Sequence, residues 1–180
     1  KLNVPYTSLL WEAIHKCGGG ADYISDRVLA QSFVRDGCLC YGNRRYKVII
    51  LPEVQSMSKE AMERLLEFVS KGGRVFCIGC KPCKSLGYKD FEARDREMLD
   101  LLARLEKYTD RFVLLEKPDD GRYLEWYQDV MAEYRLPHRI DVSNPDRFLL
   151  INNYTADNGD AVVLLVNASL NDSKNTRLAF

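Results

Sequence analysis

The sequence predicts a three-layer α/β domain with a mostly parallel sheet, followed by the beginning of an antiparallel β-sandwich. Two patterns carry this prediction. Near the middle of the chain, two short apolar runs enclose one amphipathic helical segment. Near the carboxyl end, two β-rich runs enclose an Asn-Gly pair. The first pattern is typical of parallel strands joined by a helix, and the second is typical of a hairpin.

The central segment of the chain predicts a βαβ unit. The apolar run at residues 48–51 shows no polar alternation and is ended by Pro52, which suits a strand buried on both faces. A second apolar run at residues 75–78 is closed by Gly79. Because a single helical segment separates the two runs, we expect parallel strands and a right-handed crossover.

The amphipathic segment between these runs predicts one helix with a single apolar stripe. Ser56 or Ser58 is expected to cap its first turn, and Gly72-Gly73 is expected to end it. The predicted stripe consists of Met57, Ala61, Met62, Leu65, Leu66 and Val69.

The remaining elements follow from the same periodicities. The strands of the α/β domain are expected at residues 21–24, 46–51, 74–78 and 111–115. Further helices are expected at residues 6–16, 25–34, 91–108 and 123–134. Gly18-Gly19-Gly20 is expected to end the first of these helices, since a phosphate-binding loop would have to precede a helix. Asp36-Gly37 and Gly42-Asn43 predict turns on either side of a short strand at residues 38–41.

Antiparallel structure is expected after residue 145. Apolar runs at residues 148–151 and 161–166 flank the turn sequence at residues 157–160, which predicts a hairpin. We therefore expect an α/β domain at residues 1–144 and the start of a truncated β-sandwich at residues 145–180. The abrupt start and stop of the sequence predict a fragment of a longer protein.

Composition excludes two classes of partner. The 180 residues balance 26 Lys and Arg against 26 Asp and Glu, so no net field favours nucleic acid or an anionic membrane surface. No apolar run approaches the roughly 20 residues needed to cross a bilayer. We expect neither a nucleic-acid partner nor a membrane span.

Five of the six cysteines form motifs that are open to several interpretations. Cys77, Cys80 and Cys83 are spaced two residues apart, and Cys38 and Cys40 form a second pair. Thiolates at such spacing ligate zinc or iron–sulfur clusters. Cys77, however, lies inside an apolar run, where a cysteine behaves as a small hydrophobic residue. We predict no metal or cofactor, and disulfides at Cys80–Cys83 or from the Cys38–Cys40 pair stay open.

A nucleophilic thiol is the catalytic alternative. The sequence Phe76-Cys77-Ile78-Gly79 resembles the Cys-x-Gly elbow of class I glutamine amidotransferases, and an enzyme of that kind would use Cys77 or Cys80. Val75 stands where that elbow needs a glycine, and a late His-x-Glu is missing. The histidines are His15, in the first helix, and His138, in Pro137-His138-Arg139. We therefore assign no catalytic, cofactor-binding or metal-binding residue.

A binding module is a further alternative. The crevice at the carboxyl ends of the parallel strands, around Pro52-Glu53 and residues 79–83, is where open α/β sheets take small molecules. Aromatic residues at positions 123, 126, 127 and 134 are able to stack on sugar rings, although aromatics at helical spacing are more typical of a core.

Four segments of the chain carry a resemblance to a known family. They are GGGADYISD, DGCLCYGNRRYKVIILPEV, SKEAMERLLEFVSKGGRVFCIG and RFLLINNYTADNGDAVVLLVNAS, and the likeness extends over residues 6–170. This order resembles the flavodoxin-like, glutamine-amidotransferase-like accessory domain of large bacterial glycoside hydrolases. The likeness is closest to the α-L-rhamnosidase family, and the trimerisation domain of some β-galactosidases is similar.

The resemblance implies a non-catalytic module in an enzyme of polysaccharide degradation. Its catalytic carboxylates would lie in a separate upstream barrel, so no catalytic residue is carried over. The implied partners are the other domains of the parent enzyme, with a homo-oligomer and a carbohydrate as further candidates. The aromatic helix at residues 123–134 is the expected contact face. A periplasmic or extracellular location is implied. The six cysteines depart from this expectation, because exported bacterial enzymes usually contain few cysteines.

Overall fold

The computed structural model describes residues 5–156 and 158–180 and has a mixed α/β architecture. Its helices are α1 (Pro5–Lys16), α2 (Asp26–Gln31), α3 (Lys59–Ser70), α4 (Phe91–Leu105) and α5 (Tyr123–Tyr134). Its strands are β1 (Phe33–Arg35), β2 (Cys38–Tyr41), β3 (Arg44–Tyr46), β4 (Val48–Pro52), β5 (Arg74–Ile78), β6 (Phe112–Leu115), β7 (Asp141–Val142), β8 (Leu149–Thr155), β9 (Ala161–Asn167) and β10 (Leu178–Ala179). Asp157, part of the predicted hairpin turn, lies outside the described residues.

The chain divides into two compact units. One, called here the sheet unit, comprises Tyr23–Lys117. The other, called here the terminal unit, combines the residues up to Asp22 with Pro118–Phe180. The division into domains 1–144 and 145–180 rests on the sequence pattern and stays a prediction.

The predicted βαβ unit is confirmed in the sheet unit. Strands β4, β5 and β6 pair in that order and are all parallel. Helix α3 connects the first pair and α4 connects the second. Because two right-handed crossovers that progress in one direction lie on the same face of a sheet, α3 and α4 pack side by side.

The central strand β5 is buried on both faces. Val75, Phe76, Cys77 and Ile78 each expose 1% of their surface or less, as the uninterrupted apolar run predicts. The side chains of Val75 and Cys77 join the core cluster that α3 and α4 cover. The helix residues of that cluster are Ala61, Met62, Leu65, Phe68, Val69, Met98, Leu101 and Leu105.

Both ends of α3 have a specific local cause. The hydroxyl of Ser58 accepts a hydrogen bond from the amide of Ala61 (3.2 Å), so Ser58 is the cap of this helix. At the other end, Gly72 adopts a left-handed backbone with φ +101°. Gly73 admits the ring of Phe68, since a Cβ added there would lie 2.1 Å from the ring.

The predicted parallel strand at residues 21–24 is wrong. These residues form no strand, because the backbone of Ala21 is bonded to side chains of α1 instead of to a ladder. Its carbonyl accepts from the indole of Trp11 (2.9 Å), and its amide donates to Nε2 of His15 (3.3 Å).

The predicted helix at residues 25–34 is too long. Helix α2 is capped by Ser25 and ends at Gln31, and the hydroxyl and the amide of Ser32 both donate to the carbonyl of Leu29. Val34 lies instead on β1, which pairs antiparallel with β2. A β-branched residue between two short turns favours this strand over another helical turn.

The parallel sheet therefore has three strands. A separate antiparallel sheet, β1–β2–β3, turns at Asp36-Gly37 and Gly42-Asn43 as predicted. One layer of helices on one parallel sheet is present within the sheet unit, so the flavodoxin-like three-layer prediction is confirmed only in part.

The terminal unit contains the predicted hairpin. Strands β8 and β9 pair antiparallel over seven residues each, from Leu149 opposite Asn167 to Thr155 opposite Ala161. Leu149 and Ile151 are buried in a small core together with Ile140. Strands β7 and β10 form a second short antiparallel pair in this unit. The complete β-sandwich stays a prediction.

Among the described residues, no helix combines the length and the apolar character that crossing a membrane requires.

Candidate functional site at the carboxyl ends of the parallel strands

Strands β4 and β5 end at the same edge of the parallel sheet. The amide of Glu53 donates to the carbonyl of Ile78 (2.9 Å), and the amide of Gly79 donates to the carbonyl of Leu115 (2.9 Å). These bonds continue the ladder one residue beyond β4 and β5. The structure thus brings together Pro52-Glu53 and Gly79, which the sequence predicts to line one crevice.

Glu53 is the most unusual residue at this edge. Its backbone is left-handed, with φ +52°, a conformation that costs a non-glycine residue about 1 kcal/mol or more. Its carboxylate accepts a hydrogen bond from the ammonium of Lys117 (2.8 Å). The two side chains are 36% and 38% exposed, so water screens the pair and its net stabilisation is within about 1 kcal/mol.

Gly79 leaves room for this ion pair. Its φ is +77°, and a Cβ added there would lie 3.4 Å from Cγ of Glu53 and 3.8 Å from Cβ of Lys117. Both the backbone conformation and the space therefore favour glycine at the end of β5.

The basic segment after β5 is anchored in place. The amides of Cys83 and Lys84 donate to the carbonyl of Gln55 (3.0 and 3.1 Å), and the amide of Met57 donates to the carbonyl of Lys84 (3.1 Å). Lys81 forms an ion pair with Glu106 at 2.7 Å. The backbone bonds hold Cys83 and Lys84 against the loop that leads into α3, and the ion pair holds Lys81 at the end of α4.

The cysteine nearest to this edge within the sheet is not poised for chemistry. Cys77 is fully buried, and burial raises the pKa of its thiol to about 12. Cys80 is half-buried, and burial, followed by the charges of Glu53 and Cys83, raises the pKa of its thiol as well. A thiolate is the nucleophilic form, so both shifts oppose reactivity at neutral pH.

The other cysteines form no ligand set. All six are free thiols, so neither of the disulfides left open by the sequence is present. Cys38 and Cys40 are buried on β2, where the thiol of Cys40 donates to the carbonyl of Cys38 (3.7 Å). Across the part of the chain that the structure describes, no three His, Cys, Asp or Glu side chains are arranged to hold a metal ion.

Both histidines belong to the terminal unit, whereas Cys77 belongs to the sheet unit. His15 stacks on Trp11, with 3.9 Å between the ring centres. One ring nitrogen of His138 faces the carbonyl of Leu136 (3.2 Å), and the other contacts the carboxylate of Asp141. Each ring is thus held by neighbours in its own unit.

The aromatic helix α5 contributes to the core. Tyr123 and Tyr127 are 3% and 5% exposed, and burial raises the pKa of the Tyr127 hydroxyl above its ordinary range. The ring of Trp126 meets that of Tyr123 edge-on at 6.0 Å. Tyr123 and Tyr127 are therefore not exposed for stacking on sugars or for a contact with another domain.

The sequence reading missed Lys117. This residue lies 64 positions after Glu53, and no local pattern connects the two. The left-handed backbone of Glu53 was missed for the same reason, since glutamate carries no signal for that conformation.

Comparison with protein-family models finds no match, and comparison with curated proteins finds none. Among solved structures, the chain is similar to the crystal structure of an apo exo-carrageenase GH42 from Bacteroides ovatus, at 10% identity and a TM-score of 0.45. The alignment covers 90% of this chain, which spans only about a fifth (20%) of the length of that protein. Neither a rhamnosidase nor an amidotransferase is found in these comparisons.

Proposed function

We propose that this chain is a non-catalytic accessory module of a larger glycoside hydrolase, where it supports the architecture or the subunit contacts of the enzyme. The observation that carries the non-catalytic part is the environment of Cys77. An amidotransferase-like enzyme needs an accessible thiolate at this position, activated by an imidazole. Cys77 is instead buried in the core that α3 and α4 cover, and because burial raises the pKa of its thiol to about 12, it remains a neutral thiol at physiological pH.

The glycoside-hydrolase part of the proposal is supported by the four sequence segments that resemble accessory domains of such enzymes. Hydrolysis of a glycosidic bond generally needs two carboxyl groups on either side of the bond. At the carboxyl ends of the parallel strands, the carboxylate of Glu53 is paired with the ammonium of Lys117. A module that leaves the chemistry to a separate barrel fits this arrangement.

Thiol labelling of the folded chain tests the non-catalytic part. With iodoacetamide and peptide mapping, we expect Cys80 and Cys83 to be alkylated first and Cys77 to stay protected until the chain is unfolded. Labelling in urea is the control, because all six cysteines then react. Alkylation of folded Cys77 at the rate of Cys80 would contradict the proposal.

Activity and gene context test the rest. The purified chain should release neither ammonia from glutamine nor reducing sugar from polysaccharides. An activity abolished by Cys77→Ala or Cys80→Ala would favour a thiol enzyme instead. Sequencing the gene around this stretch should reveal a coding region upstream that is large enough for a catalytic barrel. The absence of such a region would contradict the glycoside-hydrolase part of the proposal.

A small-molecule or carbohydrate-binding module is the second candidate. The strained backbone of Glu53 at the sheet edge favours it, because such strain is often kept at binding sites. Titration with monosaccharides, followed by the amide signals of Glu53 and Gly79, separates the two candidates. Saturable shifts that Lys117→Ala removes would support binding, whereas unchanged signals would support the scaffold.

A further inference from the structure

The terminal unit contains a small pocket beside the strand pair β7–β10. The residue that follows α1 and the last turn of α5 complete its walls, and all of its lining residues belong to the terminal unit. Its volume is about 370 Å³, at the lower end of the range of small-molecule sites. This volume holds about a dozen non-hydrogen atoms, at the roughly 30 Å³ that a water molecule occupies in the liquid.

The side of the pocket next to α1 is fixed by the backbone. The amides of Arg139 and Ile140 both donate to the carbonyl of Gly18 (3.1 and 3.3 Å). A Cβ added to Gly18 would lie 1.9 Å from the carbonyl oxygen of Ile140, so this close approach requires glycine. Because backbone bonds set the position of this wall, a ligand would not have to order it on binding.

Most of the walls are apolar. Val142 and Leu178 are direct partners in the pair β7–β10, and both pack against the small core of the terminal unit. Met131 adds a thioether from α5. Cys17 is 2% exposed, and burial raises the pKa of its thiol to about 11, so it lines the pocket as a neutral group. Among the described residues that line the pocket there is no Phe, Tyr or Trp, so a sugar would find no such ring to stack on.

Arg177 supplies a positive charge that is not used within the unit. Within the described part of the chain, its guanidinium forms no ion pair, since the carboxylate of Asp141 contacts the imidazole of His138. The hydroxyl of Ser143 accepts a hydrogen bond from the backbone amide of Arg177 (2.9 Å) and keeps its own proton for a further bond. A guanidinium and a hydroxyl are therefore available as donors on the same side of the pocket.

An aliphatic carboxylate combines the two groups that such a pocket recognises. A guanidinium donates two parallel hydrogen bonds to the oxygens of one carboxylate, and a hydroxyl is able to add a third. Burial of an aliphatic chain removes the apolar walls from water. Inorganic phosphate fits less well, because an ion without an apolar part loses hydration beside Val142 and Leu178 and gains no contact in return.

We propose that this pocket binds a small aliphatic monocarboxylate, with the carboxylate on Arg177 and Ser143 and the chain against Met131, Val142 and Leu178. The proposal is independent of the proposed function, because an accessory module supports its parent enzyme whether or not this pocket is filled. It also concerns a different site from the sheet edge at Glu53, which belongs to the sheet unit.

Titration of the folded chain with hexanoate tests the proposal. The amide signals of Val142, Ser143 and Leu178 should shift saturably with a dissociation constant in the millimolar range, as expected for so small a ligand. Acetate lacks the chain and hexanamide lacks the charge. Each should bind about tenfold more weakly than hexanoate or worse.

Two substitutions separate the polar part of the site from the apolar part. Arg177→Gln should weaken hexanoate about tenfold and leave hexanamide unchanged, because only the charged ligand loses a partner. Ala179→Phe adds a ring at a lining position and should abolish binding of both ligands. Arg122→Gln is the matched control, since it removes an exposed arginine of the same unit that does not line the pocket, and it should change neither affinity.

The contrary results are specific. Absence of saturable shifts at the three amides overturns the proposal, as does equal binding of hexanoate and hexanamide or of hexanoate and acetate. Tighter binding of hexylammonium than of hexanoate would assign the pocket to a cation held by Asp141 and contradict the proposal. Shifts confined to Glu53 and Gly79 would place the ligand at the sheet edge instead. None of these results alters the labelling of Cys77, so the proposed function is judged separately.

Discussion

At Gly73 the neighbouring side chain leaves no space for any residue larger than glycine. A Cβ added there would lie 2.1 Å from the ring of Phe68, a fully buried residue of α3. We expect Gly73→Ala to lower the free energy of unfolding by about 3 kcal/mol, because the ring must move within a packed core. Urea denaturation followed by circular dichroism measures the change.

Gly121→Ala is the matched control for this substitution. A Cβ at Gly121 meets nothing within 4 Å, so the free energy of unfolding should change by no more than about 0.5 kcal/mol. A similar small loss for Gly73→Ala would mean that Phe68 repacks freely and that the glycine serves only to end the helix.

At the scale of the element, the cap of α3 distinguishes two neighbouring serines. The hydroxyl of Ser58 accepts from the amide of Ala61, whereas Ser56 takes part in an isolated bridge with Lys84. We expect Ser58→Ala to cost about 1 kcal/mol of unfolding free energy, and Ser58→Asp to restore most of it. Ser56→Ala is the control, and a loss equal to that of Ser58→Ala would contradict the assignment.

The last turn of α3 should make stability depend on pH. The carboxylate of Glu67 accepts a hydrogen bond from Lys71 (2.6 Å) and contacts Arg64, and these interactions lower the pKa of Glu67 below its ordinary value of 4.5. A carboxyl group whose pKa is lower in the folded state than in the unfolded state stabilises the folded protein at pH values above its unfolded-state pKa. That stabilisation is lost as the pH falls through the folded-state value.

Glu67→Gln isolates this contribution. At neutral pH the variant should be less stable than the parent by about 0.5 kcal/mol, since the pair is partly exposed. At a pH below the folded-state pKa, where the carboxyl is protonated, the two proteins should have the same stability within about 0.2 kcal/mol. Chemical denaturation at both pH values measures the difference, and a constant difference would argue against a charge effect.

Across the whole molecule, an element can be predicted from the sequence when the signal for it lies in neighbouring residues. The apolar runs of β4 and β5 and the Asn-Gly turn between β8 and β9 are local, and each predicts its element correctly. Residues 21–24 are also predicted as a strand, but the side chains of Trp11 and His15 form hydrogen bonds with the backbone of Ala21. Nothing within residues 21–24 indicates that competition.

The candidate site is predictable only in part for the same reason. Pro52 and Gly79 end their strands visibly, so the sequence locates the sheet edge. The ion pair between Glu53 and Lys117 depends on where β6 ends relative to β4, which is decided by packing of the whole sheet unit. The joining of α1 with α5 in the terminal unit likewise has no local signature.

Net charge and the apolar side chains exposed on β8 and β9 together should set the solubility of the chain; these side chains are Leu150, Tyr154, Val162, Leu164 and Val166. The formal net charge is +0 at pH 7 and the sequence pI is about 6.9, so little repulsion opposes association through an exposed apolar strand at neutral pH. We expect polyethylene glycol to precipitate the chain most readily near neutrality. Leu164→Lys should raise the precipitation midpoint more than Leu170→Lys, because both add one charge but only the first interrupts the apolar face. Equal gains would mean that charge alone governs association and that the face is not its site.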